Sequence, residues 1–392
     1  MHSNALSEDE AQFSLVLGGP LYQLYLRCRL VKPPIDLVRR RIAAFVSIVW
    51  LPLAVLCAIQ GNLVAGVPVP FENDLSTHVR FLLTLPILIG AEAMVHRRIQ
   101  WIVRQFIDRG LVAPQDRFEF DRMIEASMKL RNSMTFELAL LVLAFTVFHW
   151  LWRHFAALNV TTWYMDASTQ SFTMAGYWYV FVSLPIFRFL LLRWYFRLFV
   201  WYRFLWQVSR SPLQLNALHP DRSGGLGFMS VMPQALLPIL LAQAVMLSGT
   251  IGDAIWHTGV KLPEFQWTIV AFLLFMLLLA YVPLTFFVPA LHRARAAGIL
   301  ECGAFASEYV REFREKWIKD AAVQETPLGS GDIQSLADIG NSYQVVREMN
   351  LLPITKRSVT QFVGFIVLPL LPLLLTMVSL KQIVAQLIKM LL

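Results

Sequence analysis

Apolar positions gather into long runs separated by basic or polar connections, and seven of those runs approach the roughly 20 residues a helix needs to cross a hydrocarbon core. They cover residues 42–64, 79–95, 136–155, 177–199, 229–249, 267–288 and 359–378. The second run is short and carries Pro86, which predicts a tilted or partly interfacial segment. The last contains Pro369 and Pro372, which predicts a kink, because proline is tolerated in a span where neighbours or water satisfy the freed carbonyls. The expected fold class is therefore all-α: a polytopic helical membrane protein with about seven transmembrane helices and a small cytoplasmic helical layer. Residues 1–392 form one integral membrane domain in this reading.

Outside the spans the period changes from unbroken apolar to amphipathic. Residues 97–134 read as a helix, a break at LVAPQD and a second helix; residues 290–357 read as an extension of the sixth span and a further helix after ETPLGSGD. Ser330 or Asp332 is placed to cap that further helix. Residues 379–392 set Leu380, Ile383, Val384, Leu387, Ile388 and Leu391 opposite Lys381, Gln382, Gln386 and Lys389, the pattern of a helix lying in the interface or on a partner.

Composition agrees with a bilayer environment, at 57% hydrophobic and 15% charged residues. The net charge of +8 first suggests nucleic acid, but its distribution changes that picture. Of the 34 Lys and Arg, 28 fall in residues 1–42, 96–134, 193–229 and 292–358, alternating with connections that hold almost none. Basic connections stay on the cytoplasmic side, so the charge is a topology signal that puts the N-terminus inside and excludes a nucleic-acid partner. Seven spans put the C-terminus outside; a hairpin at PLLP would return it. The acidic start MHSNALSEDE does not resemble a cleaved leader. Cys28, Cys57 and Cys302 show no paired spacing and read as small apolar fillers. Aromatic clusters such as YWYV at 177–180 read as interfacial anchors.

Candidate chemistry is sparse. Glu92 and Glu137 lie within the second and third spans and Arg188 and Arg193 within the fourth, where an ionisable side chain needs a partner or water. Together they are expected to form a polar intramembrane centre, either a permeation site or a static ion-pair network. Arginines at 188, 193, 197, 203 and 210 do not repeat every third position, which excludes a voltage sensor. His149 reads as a packed or interfacial residue, and Asp253 with His257 as a weak pair near an outer loop. The segment HPDRSGGLGF at 219–228 lacks the lysine of a phosphate loop and the strand of a dinucleotide turn. Its residues His219, Asp221, Arg222, Ser223, Gly224 and Gly225 form either an anion-binding loop, through backbone N–H groups and Arg222, or a turn with Ser223 as the helix cap. No metal, cofactor or nucleophile motif is present, so no cofactor and no catalytic residue is expected.

The segments LGSGDIQSLADIGNSYQVVREMNLLP, GGPLYQLYLR and HPDRSGGLGF resemble those of a group of bacterial multi-pass inner-membrane proteins with no assigned activity. The resemblance implies a bacterial inner membrane and carries over no site residue. The leading reading is transport or conduction of a small solute or ion through the polar centre. The alternatives are a scaffold or regulatory subunit, as a homo-oligomer or bound to a partner membrane protein in the bilayer, and an enzyme acting on lipid head groups.

Overall fold

The structure is a computed structural model and describes residues 13–31, 36–146, 161–166, 168–169, 171–319 and 330–377. A short helix, α1 (Pro20–Arg27), precedes the first long one, α2 (Val38–Gln60). There follow α3 (Leu75–Asp108), α4 (Arg117–Arg131), α5 (Met134–Phe145), α6 (Met174–Arg210), α7 (Leu226–Thr258), α8 (Leu262–Lys319), α9 (Gly331–Arg347) and α10 (Lys356–Thr376). Among the described residues, extended structure is limited to isolated bridges such as Val69 with Thr162. Among the described residues, six helices, α2, α3, α6, α7, α8 and α10, are long and apolar enough to cross a membrane. The third expected run, 136–155, is represented by α5, and residues 147–155, His149 among them, lie outside the described residues, as do residues 379–392.

Two helical surfaces show why a bilayer is the solvent. On α2, Val49, Leu53 and Cys57 are buried while Ile48, Leu51, Val55 and Ile59 are exposed; on α8, Trp267, Val270, Leu274 and Leu278 are exposed. An apolar stripe at helical spacing that faces outward is stable against hydrocarbon and costly in water. Helices α3, α6 and α7 form the interior, with α7 packed along α3, α2 against α3, and α6 against α4 and α5. The part of α8 beyond the bundle pairs with α9, whose first turn is capped by Ser330 Oγ accepting from the Asp332 N–H.

Pro86 neither shortens nor breaks α3. Proline removes one N–H and presses its ring on the carbonyl four residues back, here Leu82. Leu82 lies in a widened π turn, Val79–Thr84, that lets the helix run on to Asp108. Pro185 in α6 repeats the device, with Phe181 inside the π turn Tyr179–Ser183. Pro369 and Pro372 are accommodated by tightening, as the 3₁₀ segment Leu368–Thr376, and the helical run continues through them without a hairpin.

The matching π turns belong to a longer echo. FENDLST, which runs into the first turn of α3, and WYMDAST, before α6, share an aromatic residue, an Asp, a Ser and a Thr at one spacing, and each helix then reaches Leu-Pro-Ile. Asp74 accepts from the Thr77 N–H at 2.8 Å and Asp166 from the Ser168 N–H at 2.9 Å. The segments touch: Phe71 and Trp163 meet edge to face at 4.9 Å, and Trp163 Nε1 donates to Asp74 at 2.9 Å. The entry into α3 is thus echoed by the entry into α6, although no motif relates the two halves of the chain.

Candidate functional site

At the arginine-rich end of the bundle, five helices and the N-terminal segment bring buried charge together. Glu92 on α3 pairs through Oε2 with Arg41 on α2 and through Oε1 with Arg197 on α6 at 2.9 Å. Glu137 on α5 pairs through Oε1 with Arg193 on α6 at 3.2 Å, and its Oε2 accepts the Leu21 N–H at 3.0 Å, capping α1. Arg193 also donates to the Gly18 carbonyl at 3.3 Å. Arg131, at the end of α4, donates to the Ser14 carbonyl and, through Nε and Nη2, to Asn132 Oδ1.

The GGPLYQLYLR stretch has its physical reason here. Gly18 adopts φ 131°, and a Cβ on it would lie 2.4 Å from Arg131 Nη2, so only glycine lets the chain pass between this arginine and Arg193. Upstream, Phe13 packs in tilted contact with Phe204 and Trp201, fixing the segment against α6.

Arg41, Arg193 and Arg197 are each more than nine-tenths buried. With Arg131 they set four positive charges against the two negative ones of Glu92 and Glu137. Several guanidinium nitrogens have no acceptor: Arg41 Nε and Nη2, Arg193 Nη1 and Arg197 Nη2; His96 Nδ1 is also without a partner. Aromatic faces supply part of the shortfall, with Arg197 over Trp194 at 4.8 Å and Arg41 over Tyr25 at 5.6 Å. Burial, with Arg197 and Arg193 close by, pulls the Arg131 pKa down to about 10, still charged at neutral pH. Burial pushes the Tyr25 phenol up, so it stays a neutral hydroxyl.

The expected set of Glu92, Glu137, Arg188 and Arg193 therefore divides. Arg188 does not meet either carboxylate. Five residues separate it from Arg193, which turns it about 140° around the helix, whereas Arg193 and Arg197 are four apart and share a face. Arg188 lies instead within electrostatic range of Tyr179 and Arg80, and Arg80 donates to the Tyr179 hydroxyl at 2.6 Å. Arg41, Arg131 and Arg197 are the partners the sequence reading missed; the i, i+4 spacing of Arg193 and Arg197 was the one local signal for them.

The HPDRSGGLGF loop is closed on itself. Asp221 Oδ1 accepts from the N–H groups of Ser223 at 2.8 Å and Gly225 at 3.1 Å, and Oδ2 from Gly227 at 2.8 Å. Burial pushes the Asp221 pKa up, but these N–H groups, with His219, outweigh it and hold the carboxylate below its ordinary range. Arg222 pairs with Glu348 at 2.8 Å, and its carbonyl accepts the Asn350 N–H at 2.7 Å. Of the two readings left open for His219, Asp221, Arg222, Ser223, Gly224 and Gly225, these contacts are those of a turn: Asp221 meets the N–H groups of Ser223, Gly225 and Gly227, and Arg222 ties the end of α9 to the bundle. Ser223 is not the helix cap: Gly225 holds the N-cap position of α7, and Asp221 meets the Gly227 N–H of its first turn.

At the opposite end, Asp253 Oδ1 accepts the Ser76 N–H at 3.4 Å, and His257 Nε2 meets the Asn73 carbonyl at 2.9 Å. Both fasten the FENDLST connection to α7. Cys57 is buried, but Cys28 is exposed and so not a filler. Among the described residues, no three His, Cys, Asp or Glu side chains gather closely enough to hold a metal ion.

Compared with family models, with curated proteins and with solved structures, the chain matches none.

Proposed function

We propose that this integral membrane protein transports an anion, with Arg41, Arg193 and Arg197 as its binding groups, in a bacterial inner membrane and with its N-terminus in the cytoplasm. The observation that carries the reading is the surplus of buried guanidinium charge, with N–H groups that no protein acceptor meets. An uncompensated charge costs several kcal/mol to bury, at about 3–5 kcal/mol for a pair that has lost its partner, so such a centre favours a negatively charged ligand. A cation would meet net repulsion here, which turns the earlier expectation of an unspecified solute or ion into one of definite sign. Orientation rests on the alternation of basic and nearly charge-free connections, which places the arginine centre towards the cytoplasmic surface.

Proteoliposomes loaded with the full-length chain test the reading through uptake of inorganic phosphate. Protein-dependent uptake that falls at least about tenfold in Arg193→Gln, the loss of one charge-assisted contact, is the expected result. Absence of both uptake and binding of phosphate overturns it.

A further inference from the structure

An apolar groove of about 700 Å³ opens beside the arginine centre, between α1, α2, α5 and α6. That volume suits a lipid-sized or drug-sized ligand. Its walls are almost wholly apolar, formed by residues such as Leu24, Phe45, Ile48, Leu138 and Phe189. Along α5 it runs from Met134 to Phe145, about 16 Å at 1.5 Å per residue, alongside a spanning stretch of α6.

One corner differs from the rest. Glu137 and Tyr25 line it, and each is backed by an arginine: Arg193 pairs with Glu137 at 3.2 Å, and Arg41 lies over the Tyr25 ring at 5.6 Å. Glu137 adds little negative field there, because Arg193 holds one oxygen and the Leu21 N–H the other. Arg41 and Arg193, each with unmatched donors, therefore stand one side chain behind this polar corner of an apolar groove.

We infer that this groove holds a hydrocarbon chain of an anionic lipid whose phosphate is drawn to the Tyr25–Glu137 corner by Arg41 and Arg193. Charge complementarity selects that occupant. A zwitterionic lipid brings a cationic group to a centre that already has surplus positive charge, and a free anion leaves the apolar walls unused. The inference rests on the anion reading above and narrows its substrate class to phosphate-bearing amphiphiles.

Native mass spectrometry of the full-length protein from detergent tests this, with dioleoyl phosphatidate, dioleoyl phosphatidylcholine and inorganic phosphate as the three probes. Phosphatidate is expected to be retained about tenfold better than phosphatidylcholine, the worth of one charge-assisted hydrogen bond. Ala44→Trp on α2 and, separately, Leu138→Trp on α5 fill the groove from two walls without touching an arginine; each should lose phosphatidate yet keep inorganic phosphate. Arg193→Gln should lose both. Equal retention of the two lipids, or groove variants that bind phosphatidate as the parent does, overturns the inference. Binding of inorganic phosphate with no phosphatidate preference overturns the amphiphile alone and leaves the anion reading standing, whereas failure of both probes removes both. The lipid comparison needs only the parent protein, so a variant that misfolds does not remove the test.

Discussion

Glu92 is the residue on which the interior charge balance turns, because both its oxygens are engaged, by Arg41 and by Arg197. Glu92→Gln keeps the shape but leaves two buried guanidinium groups facing a neutral amide. Removing one partner of a buried pair costs about 3–5 kcal/mol, and here two pairs share the lost charge. The expected outcome is a marked fall in the thermal midpoint of the purified protein, with partial recovery in Glu92→Gln combined with Arg41→Met, which removes one orphaned cation. A midpoint unchanged by Glu92→Gln means the network is hydrated and carries no structural weight. Little of this pairing was legible beforehand. Glu92 and Glu137 stood out as carboxylates in apolar runs, but Arg41 belongs to a basic segment that signals topology and Arg197 to a helix end where arginines reach out to water. Their convergence spans 51 residues in one case and 105 in the other, and no local period encodes a contact of that range.

Among elements, the connection from α6 to α7 shows a fold device standing where a ligand site was expected. The N–H groups of Ser223, Gly225 and Gly227 point inward as a phosphate site would need, but the side chain of Asp221 fills the position. A Cβ on Gly227 would lie 2.8 Å from that carboxylate, so glycine allows the approach. Because the folded-state pKa of Asp221 lies below its ordinary value, its contribution is complete above the ordinary range, about pH 3.9, and is lost as the pH falls through the folded value. Hydrogen exchange at Ser223, Gly225 and Gly227, corrected for intrinsic rates, should be protected near neutral pH and lose protection in that acid window. Asp221→Asn should lose it at all pH values, and equal protection in the variant would assign the loop's order to packing instead. The spans themselves were readable because an apolar run long enough for a bilayer has few other meanings. Their ends were less so. The basic residues His96, Arg97 and Arg98 end the apolar run, and the amphipathic helix expected from residue 97 is one with the span, since α3 continues to Asp108 with Ile99, Ile102, Val103 and Phe106 turned inward.

For the whole molecule, the asymmetry between its ends is a testable statement about direction. The α6–α7 connection, the projecting part of α8 and α9 all gather at the end where most of the Lys and Arg lie, and the FENDLST and WYMDAST connections close the other with Asp74, Asp253 and His257. Retention of basic connections in the cytoplasm requires the arginine centre, Cys28 and Cys302 to be inside and Lys261, between α7 and α8, to be outside. A membrane-impermeant maleimide applied to intact bacterial cells with a permeabilised outer membrane should leave the native chain unlabelled, since Cys57 is buried and the proposed orientation puts the other two in the cytoplasm. Lysis should expose Cys28, the most accessible of the three, and Lys261→Cys should label before lysis. The reverse pattern, with the native chain labelled in intact cells and Lys261→Cys silent until lysis, would turn the molecule over. It would also place the arginine centre and the groove in the outer leaflet, so that the anionic head group drawn to Arg41 and Arg193 would have to arrive from that side.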